Sequence, residues 1–290
     1  MPKPFAWYEV VRSRADTGSV RCPDAVVVEE PLEIRVDGET IATTMRTPGQ
    51  DAELTLGFLF AEGMIAGAGD VGSVAHCGRA GEEGRGNVID VRSAGGHRID
   101  VERVLEGRRW APTSSACGVC GRRTVEDLLA RVPRAPSRSV DVELAARAVA
   151  ELGASQPAFA RTGGLHAAAI RGADGALLAA AEDVGRHNAV DKAVGSLLAR
   201  GLLGRGQLGP PPAVLAVSGR SSFEIVQKAA MAGIACIASV SAPSSLAIDL
   251  AREAGIVLLG FVRGDGWNAY AHAERLESAG ESLPSAPPPA

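Results

Sequence analysis

The sequence predicts an α/β protein, α+β overall: a strand-rich N-terminal part followed by a C-terminal three-layer α/β domain. Three observations predict it. Alternating, β-branched runs crowd the N-terminal part. After residue 140, short apolar runs alternate with runs at helical spacing. Between the two lies a proline- and arginine-rich stretch, residues 131–139. Strands alternating with helices imply parallel strands covered by helices.

The elements follow in order. Residues 25–30, 32–36 and 40–45 read as strands, with Asp37 and Gly38 as a hairpin turn. Asp51 caps a helical run at 52–63, where Leu54, Phe58 and Leu59 recur at helical spacing. Residues 87–92 and 98–101 read as a second pair of strands, and 81–86 as a polar loop. Residues 131–139 are the linker. Beyond it come a helix at 142–152, strands at 166–171 and 176–181 joined by a turn, and a helix at 188–199. Then follow a strand at 213–217, a helix at 223–232, a strand at 236–240, a helix at 245–254 and a strand at 256–262. This sets an N-terminal part at 1–135 and an α/β domain at 136–278. Residues 279–290 are a proline-rich tail expected to be disordered.

Composition excludes several classes. The 290 residues carry a formal net charge of −4, so no global basic excess points to nucleic acid or an anionic membrane. No stretch approaches the roughly 18 apolar residues of a membrane span. Residues 1–9 lack the basic and apolar regions of a signal peptide. The expected compartment is the cytoplasm, where thiols stay reduced. Five cysteines, an odd number with one close pair, are not a disulfide framework. Arginine outnumbers lysine so heavily that a single arginine carries little weight without supporting neighbours.

The close pair is Cys117-Gly118-Val119-Cys120, flanked by Ser114, Ser115 and Gly121. A zinc site needs two further ligands, and the other cysteines and histidines are scattered, so no structural metal is expected. Two readings remain open on the residues alone. One is a thioredoxin-like dithiol near a helix start, where the dipole favours thiolate. The other is a sulfur carrier, whose thiolate takes sulfur from a donor persulfide and whose glycines permit close approach.

Two strand-turn-helix junctions suggest an anionic ligand. The first holds Ser218, Gly219, Arg220, Ser221 and Ser222: a glycine, an arginine, hydroxyls and free backbone N–H groups at a helix start. Helix capping by Ser221 or Ser222 would explain the serines but not Arg220. The second holds Phe261, Val262, Arg263, Gly264, Asp265 and Gly266 after another apolar strand. Both turns should lie side by side at the carboxyl edge of the sheet, where open α/β sheets bind ligands. A third segment packs Glu182, Asp183, Arg186, His187, Asn188, Asp191 and Lys192 together. Asp191 and Lys192 fit a solvated helix face. His187 is a candidate base or ligand contact, or a structural histidine. His166, after Gly163 and Gly164, could face the same cleft.

Together, SSACGVCG, TGGLHAAA, EDVGRHNAVDK, VSGRSSFEIVQKA, SAPSSLAIDLA and GFVRGDGWNAYA resemble the formate dehydrogenase accessory sulfurtransferases, the FdhD family. The resemblance spans residues 31–271. It implies a sulfur carrier between a cysteine desulfurase and the molybdenum bis(pyranopterin guanine dinucleotide) cofactor, which is then inserted into formate dehydrogenase. It places the persulfide on Cys117 and the second cysteine on Cys120. It also places the family's cofactor-binding stretch on residues 261–266, and implies a cytidine deaminase-like fold for the C-terminal half. Zinc deamination itself is not supported, because no HxE followed by PCxxC is present. Homodimerisation is left open. The competing functions are a dithiol oxidoreductase and a nucleotide-binding regulatory protein.

Overall fold

The structure is a computed structural model that describes residues 3–16, 18–77, 85–95, 98–101, 132–204, 210–264 and 266–277. The Cys117–Cys120 motif, the expected helix after it, Asp265 and the tail lie outside the described residues.

The chain opens on an antiparallel hairpin of β1 (Phe5–Arg14) and β2 (Gly18–Val27). β3 (Glu30–Val36) and β4 (Glu39–Arg46) form a second hairpin. Its turn residues Asp37 and Gly38 both have positive φ, 50° and 88°, as a two-residue type I′ turn requires. β5 (Val71–His76) and β6 (Val88–Ser93) complete a four-stranded sheet in the order β4-β3-β6-β5. Residues 98–101 are not a strand, and the expected partner of β6 is replaced by β5. Ile99 and Val101 are buried, so their apolar alternation marks core contact without pairing.

Helix α1 (Asp51–Ala61) starts one residue before the expected run. Its N-cap is Gln50, in the left-handed region, and Asp51 lies in the first turn. The Asp51 carboxylate serves Arg46 at 3.1 and 3.2 Å and the Gly49 N–H at 3.2 Å.

The second sheet has six strands: β8 (His166–Gly172), β9 (Leu177–Asp183), β10 (Pro212–Val217), β11 (Cys236–Ser239), β12 (Val257–Arg263) and β13 (Gly266–Ala271). Their order is β13-β12-β11-β10-β8-β9. β10, β11 and β12 are parallel, as the alternation predicts. β8 and β13 run antiparallel to their neighbours, so the sheet is mixed. Short turns join β8 to β9 and β12 to β13, and a short turn can only join antiparallel strands. A two-residue parallel pair, β7 (Val140–Asp141) with β14 (Leu276–Glu277), stands apart.

Helices cover both faces of the six-stranded sheet, giving three layers. α2 (Val142–Ala150) packs with Ala167, Val214, Ala216, Ala238 and Leu259. On the other face, α4 (Arg186–Ala199), α5 (Phe223–Met231) and α6 (Ser245–Ala254) pack with Ala168, Leu215, Val217, Ile237 and Leu258. Alternate residues of β10 thus enter opposite layers, the period of two that a strand imposes. The short helix α3 (Pro157–Thr162) lies against β2.

The two parts share one core. Val36, Ile41, Leu59 and Phe60 join Val190, Val194 and Leu197 in a single buried cluster. The contact of α1 with α4 is at backbone distance. A Cβ on Gly57 would sit 2.0 Å from the Asp191 carbonyl oxygen, and one on Gly195 would sit 1.8 Å from that of Glu53. Nor do the described residues of the expected linker run free. Ala135 N–H donates to the Ala254 carbonyl at 2.7 Å, and the Arg275 guanidinium donates to the carbonyls of Pro136 and Arg138 at 2.9 and 2.6 Å.

Gly195→Ala should therefore force α1 from α4 and destabilise the fold by about 3 kcal/mol or more, as overpacking of a rigid contact does. Gly153→Ala, whose Cβ would meet nothing within 4 Å, should stay within about 0.5 kcal/mol of the parent. Urea denaturation of both variants checks this.

Candidate functional site

Six segments converge on one edge of the six-stranded sheet. The carboxyl ends of β9, β10, β11 and β12 lie there, with the start of β8 and of β13, because of the strand directions just described. Helices α4, α5 and α6 begin at this edge. Ser244 caps α6, accepting from the Ala247 N–H. The N-caps of α4 and α5, Gly185 and Ser222, make no side-chain cap bond. Two helix starts thus keep N–H groups facing the edge, which favours negative charge there.

The loops are tied to one another. The Ser239 hydroxyl donates to the Gly219 carbonyl at 2.6 Å, Ser244 N–H donates to the Ser221 carbonyl at 3.0 Å, and Phe261 N–H donates to the Ser241 carbonyl at 3.2 Å. Ser218 accepts the Ala167 N–H at 2.9 Å. Gly219 is needed for close approach, since a Cβ there would lie 3.2 Å from His166 Nδ1 and 3.6 Å from Arg186 Cβ. His166, Arg186 and the Ser218–Ser222 turn are therefore one cluster, and Arg220 is exposed beside it.

The second turn shares this edge but is not beside the first. β11 intervenes between β10 and β12, and its loop at 239–244 separates them. The separation is two strand spacings, about 10 Å. Val262 is 1% exposed and packs in the α2 layer, so it is a core residue rather than a ligand contact. Phe261 and Arg263 are exposed at the edge, and Gly264 turns with φ 54°. Phe261 itself has φ 53°, a strained conformation for an aromatic residue.

His187 is the centre of a chain of polar contacts. Its Nε2 lies 2.8 Å from Ser222 Oγ and its Nδ1 lies 3.1 Å from Glu224 Oε2. Glu224 Oε1 is 3.4 Å from Lys228 Nζ, and Lys228 donates to both Asp191 oxygens at 2.8 and 2.9 Å. Burial pushes the imidazole down to about 4, against the pull of Glu224 and with help from Lys228, Arg186 and His166. Burial also lowers His166, aided by Arg186 and Arg220 and opposed by Asp183. Burial opposes charge on Lys228, but Asp191 and Glu224 outweigh it and hold the ammonium protonated. Burial raises the Glu224 carboxyl, yet Lys228 and His187 together keep it below its ordinary value.

Asp191 and Lys192 do not form a solvated face. They are 3% and 1% exposed, and each pairs with an opposite charge, Lys228 and Asp183 respectively. Glu182 is committed to the start of α3, accepting the N–H groups of Ala158 and Phe159 at 3.0 and 2.7 Å. Asp183 is fully buried in a hydrogen-bond network. Neither carboxylate is placed to act as a base at the edge. Ser222 does not use its hydroxyl as a cap, so the capping reading fails for it. Sequence reasoning did not single out Glu224; its only signal was a spacing of four residues before Lys228 on a helix. Among the described residues no cluster of His, Cys, Asp and Glu is arranged to hold a metal ion. Cys236 is fully buried and its thiol is pushed up to about 12, which makes it inert.

A mixed sheet whose strand carboxyl ends gather helix starts and arginines places the chain among open-sheet α/β proteins, the class in which ligands bind at that edge. Comparison with known proteins narrows this. Residues 27–277 match the model of the FdhD/NarQ family. A sulfur carrier protein FdhD from Anaeromyxobacter dehalogenans is 64% identical over 265 residues, 91% of each chain. Proteins of the same name from Streptomyces coelicolor and Mycobacterium tuberculosis are 48% and 47% identical, over 92% and 88% of this chain and 94% and 92% of theirs. The crystal structure of a formate dehydrogenase accessory protein from Desulfotalea psychrophila superposes with a TM-score of 0.71 at 25% identity, covering 95% of this chain and all of that one. The chain belongs to the FdhD/NarQ family.

The depressed His187 predicts a pH dependence. The unfolded imidazole titrates near 6.5, so between about pH 4 and 6.5 the unfolded state binds more proton. The contribution of His187 to stability should therefore rise with pH through this window, be full above it, and be lost as pH falls toward 4. The contribution is about 3 kcal/mol. Denaturation of wild type and His187→Gln across this window checks it: the variant should lack that part of the slope, and an identical slope would locate the titration elsewhere.

Proposed function

We propose that this protein carries sulfur from a cysteine desulfurase to a molybdenum bis(pyranopterin guanine dinucleotide) cofactor destined for formate dehydrogenase. The observation that carries the reading is family membership across residues 27–277, a span that includes Cys117 and Cys120, with close relatives that are named sulfur carriers. Cys117 is the carrier. Its thiolate attacks the terminal sulfur of the donor persulfide, forming Cys117–S–SH and releasing the donor thiolate. Cys120 assists release by thiol exchange without being chemically equivalent. The molybdenum cofactor is the substrate on which the sulfur is deposited. These steps belong to the cytoplasm. No helix among the described residues is long and apolar enough to cross a membrane.

The sheet edge supports the same reading from the ligand's side. A guanine dinucleotide carries pyrophosphate, and the edge offers two uncapped helix starts together with Arg186, Arg220 and Arg263. A separation of about 10 Å between the turns suits an extended dinucleotide better than a single phosphate. A dithiol oxidoreductase would have no use for such an edge.

Incubation with a desulfurase and cysteine should add about 32 Da, one sulfur, to Cys117, whereas an oxidoreductase would lose two hydrogens on forming a disulfide. Cys117→Ser should fold and fail to activate formate dehydrogenase; full activation would overturn the assignment. Cys120→Ala should still carry the added sulfur. Arg220→Ala and Arg263→Ala should each weaken GDP binding about ten- to a hundredfold, the loss expected for one charge-assisted contact. Isothermal titration measures it, and unchanged affinity in both would make these turns structural.

A further inference from the structure

The surroundings of His187 fix which way its hydrogen bond to Ser222 runs. Glu224 is held as a carboxylate by Lys228, and its oxygen 3.1 Å from His187 Nδ1, an ion-pair contact rather than an aligned hydrogen bond, favours the tautomer with the proton on that nitrogen. The imidazole is buried with a 13% exposed side chain beside Lys228 and Arg186, which keeps it neutral. A neutral ring has a single N–H, so Nε2 accepts, and the 2.8 Å contact is donation from the Ser222 hydroxyl. That hydroxyl has one proton, and it is committed. What Ser222 still presents at the edge is lone pairs.

A phosphate oxygen is also an acceptor and gains nothing from a serine in this state. The neighbouring serine differs: Ser221 Oγ is fully buried and, among the described residues, without a hydrogen-bond partner. Arg186 Nε is likewise buried without one. The two serines that the sequence reads alike therefore have different capacities. The geometry points to Ser222 as a specificity-determining residue that accepts a hydrogen bond from an N–H or O–H of the ligand, with His187 and Glu224 as positioning residues that hold it in the acceptor state. On a guanosine moiety such donors are the ribose hydroxyls, the ring N1–H and the amino group of the base. The inference rests on the proposed reading that this edge takes a guanine nucleotide.

The test titrates GDP, 2′-deoxy-GDP, 3′-deoxy-GDP, inosine diphosphate, which lacks the amino group, and 1-methyl-GDP, which lacks the ring N1–H, into wild type, Ser222→Ala and His187→Ala. Wild type should bind one of the four analogues about three- to tenfold more weakly than GDP, the effect of one lost hydrogen bond. Which analogue loses identifies the donor. Ser222→Ala should bind GDP as weakly as that analogue and cease to distinguish them. His187→Ala releases the serine proton and should also lose the discrimination, even though the serine remains. Discrimination that persists in Ser222→Ala, or wild type that binds GDP and all analogues equally, overturns the inference while leaving the nucleotide reading intact. Failure of wild type to bind GDP at all overturns both.

Discussion

The arrangement of the whole molecule depends on one buried carboxylate. Asp183 ends β9 and is fully buried. One of its oxygens takes the Thr47 N–H at 3.1 Å and the Lys192 ammonium at 2.7 Å. The other takes the Gly185 N–H at 2.8 Å and the Asn188 amide at 3.1 Å. Lys192 returns to the Thr47 carbonyl at 2.8 Å, and the Thr47 hydroxyl accepts the Val184 N–H at 3.2 Å. The segment after β4, the end of β9 and the first turn of α4 are thus one network, although 136 positions separate Thr47 from Asp183. Leaving either charge unpaired there would cost roughly 3–5 kcal/mol. The network sets where α4 begins, and so where Arg186 and His187 stand at the sheet edge.

From that anchor the polar groups run outward in a definite order. Asp191 sits on α4 where Gly57 of α1 meets it at backbone distance, and it holds Lys228 on α5. Lys228 holds Glu224, Glu224 faces His187, and His187 meets Ser222 at the sheet edge. Each contact inward determines the protonation state of the next group outward. A hydroxyl at the edge is oriented by charges in the core, and the core charges are fixed by backbone contact between Gly57 and α4. Packing therefore reaches the site through electrostatics as well as through shape.

Much of this was legible in the sequence. The helices and strands of the C-terminal part fall within a few residues of the expected ones, because long apolar runs punctuated by glycine fix type and position together. Asp37 and Gly38 gave the hairpin turn for the same local reason. β5 was invisible because Val-Gly-Ser-Val-Ala-His is half polar and only Val71 and Val74, three positions apart, are partly buried, so it lacks the period of two that marks a strand. β13 hid behind a glycine-rich turn and reads as loop until β12 supplies its partner. The hairpin of β1 and β2 leaves Trp7, Tyr8 and Val11 exposed, so it lacks the inward face that marks a strand. At the site, residue types were readable and relationships were not. Nothing in the sequence sets β11 between the two arginine turns or turns Asp191 and Lys192 inward, since both outcomes are decided by strand order and by which helix faces α4.

The use of lysine and arginine follows from counting acceptors. The chain has three lysines, and two of them, Lys192 and Lys228, are almost completely buried. Lys192 has Asp183 and the carbonyls of Thr47 and Glu182 around its three donors; Lys228 has both oxygens of Asp191 and one of Glu224. A guanidinium brings five donors in a fixed plane, and at either place some would be left without acceptors. Arg46 shows what a buried guanidinium needs. It is 1% exposed and is met by both oxygens of Asp51, by Glu30, by the Gly86 carbonyl and by Asn87. Where acceptors are that numerous, arginine can be interior. Where three suffice, a compact ammonium fits, even in a chain with a strong bias to arginine. Arg220 and Arg263, at the sheet edge, are exposed, and among the described residues no hydrogen bond or ion pair occupies their forks. A ligand rich in acceptor oxygens can satisfy such forks, and that is the chemistry of a pyrophosphate.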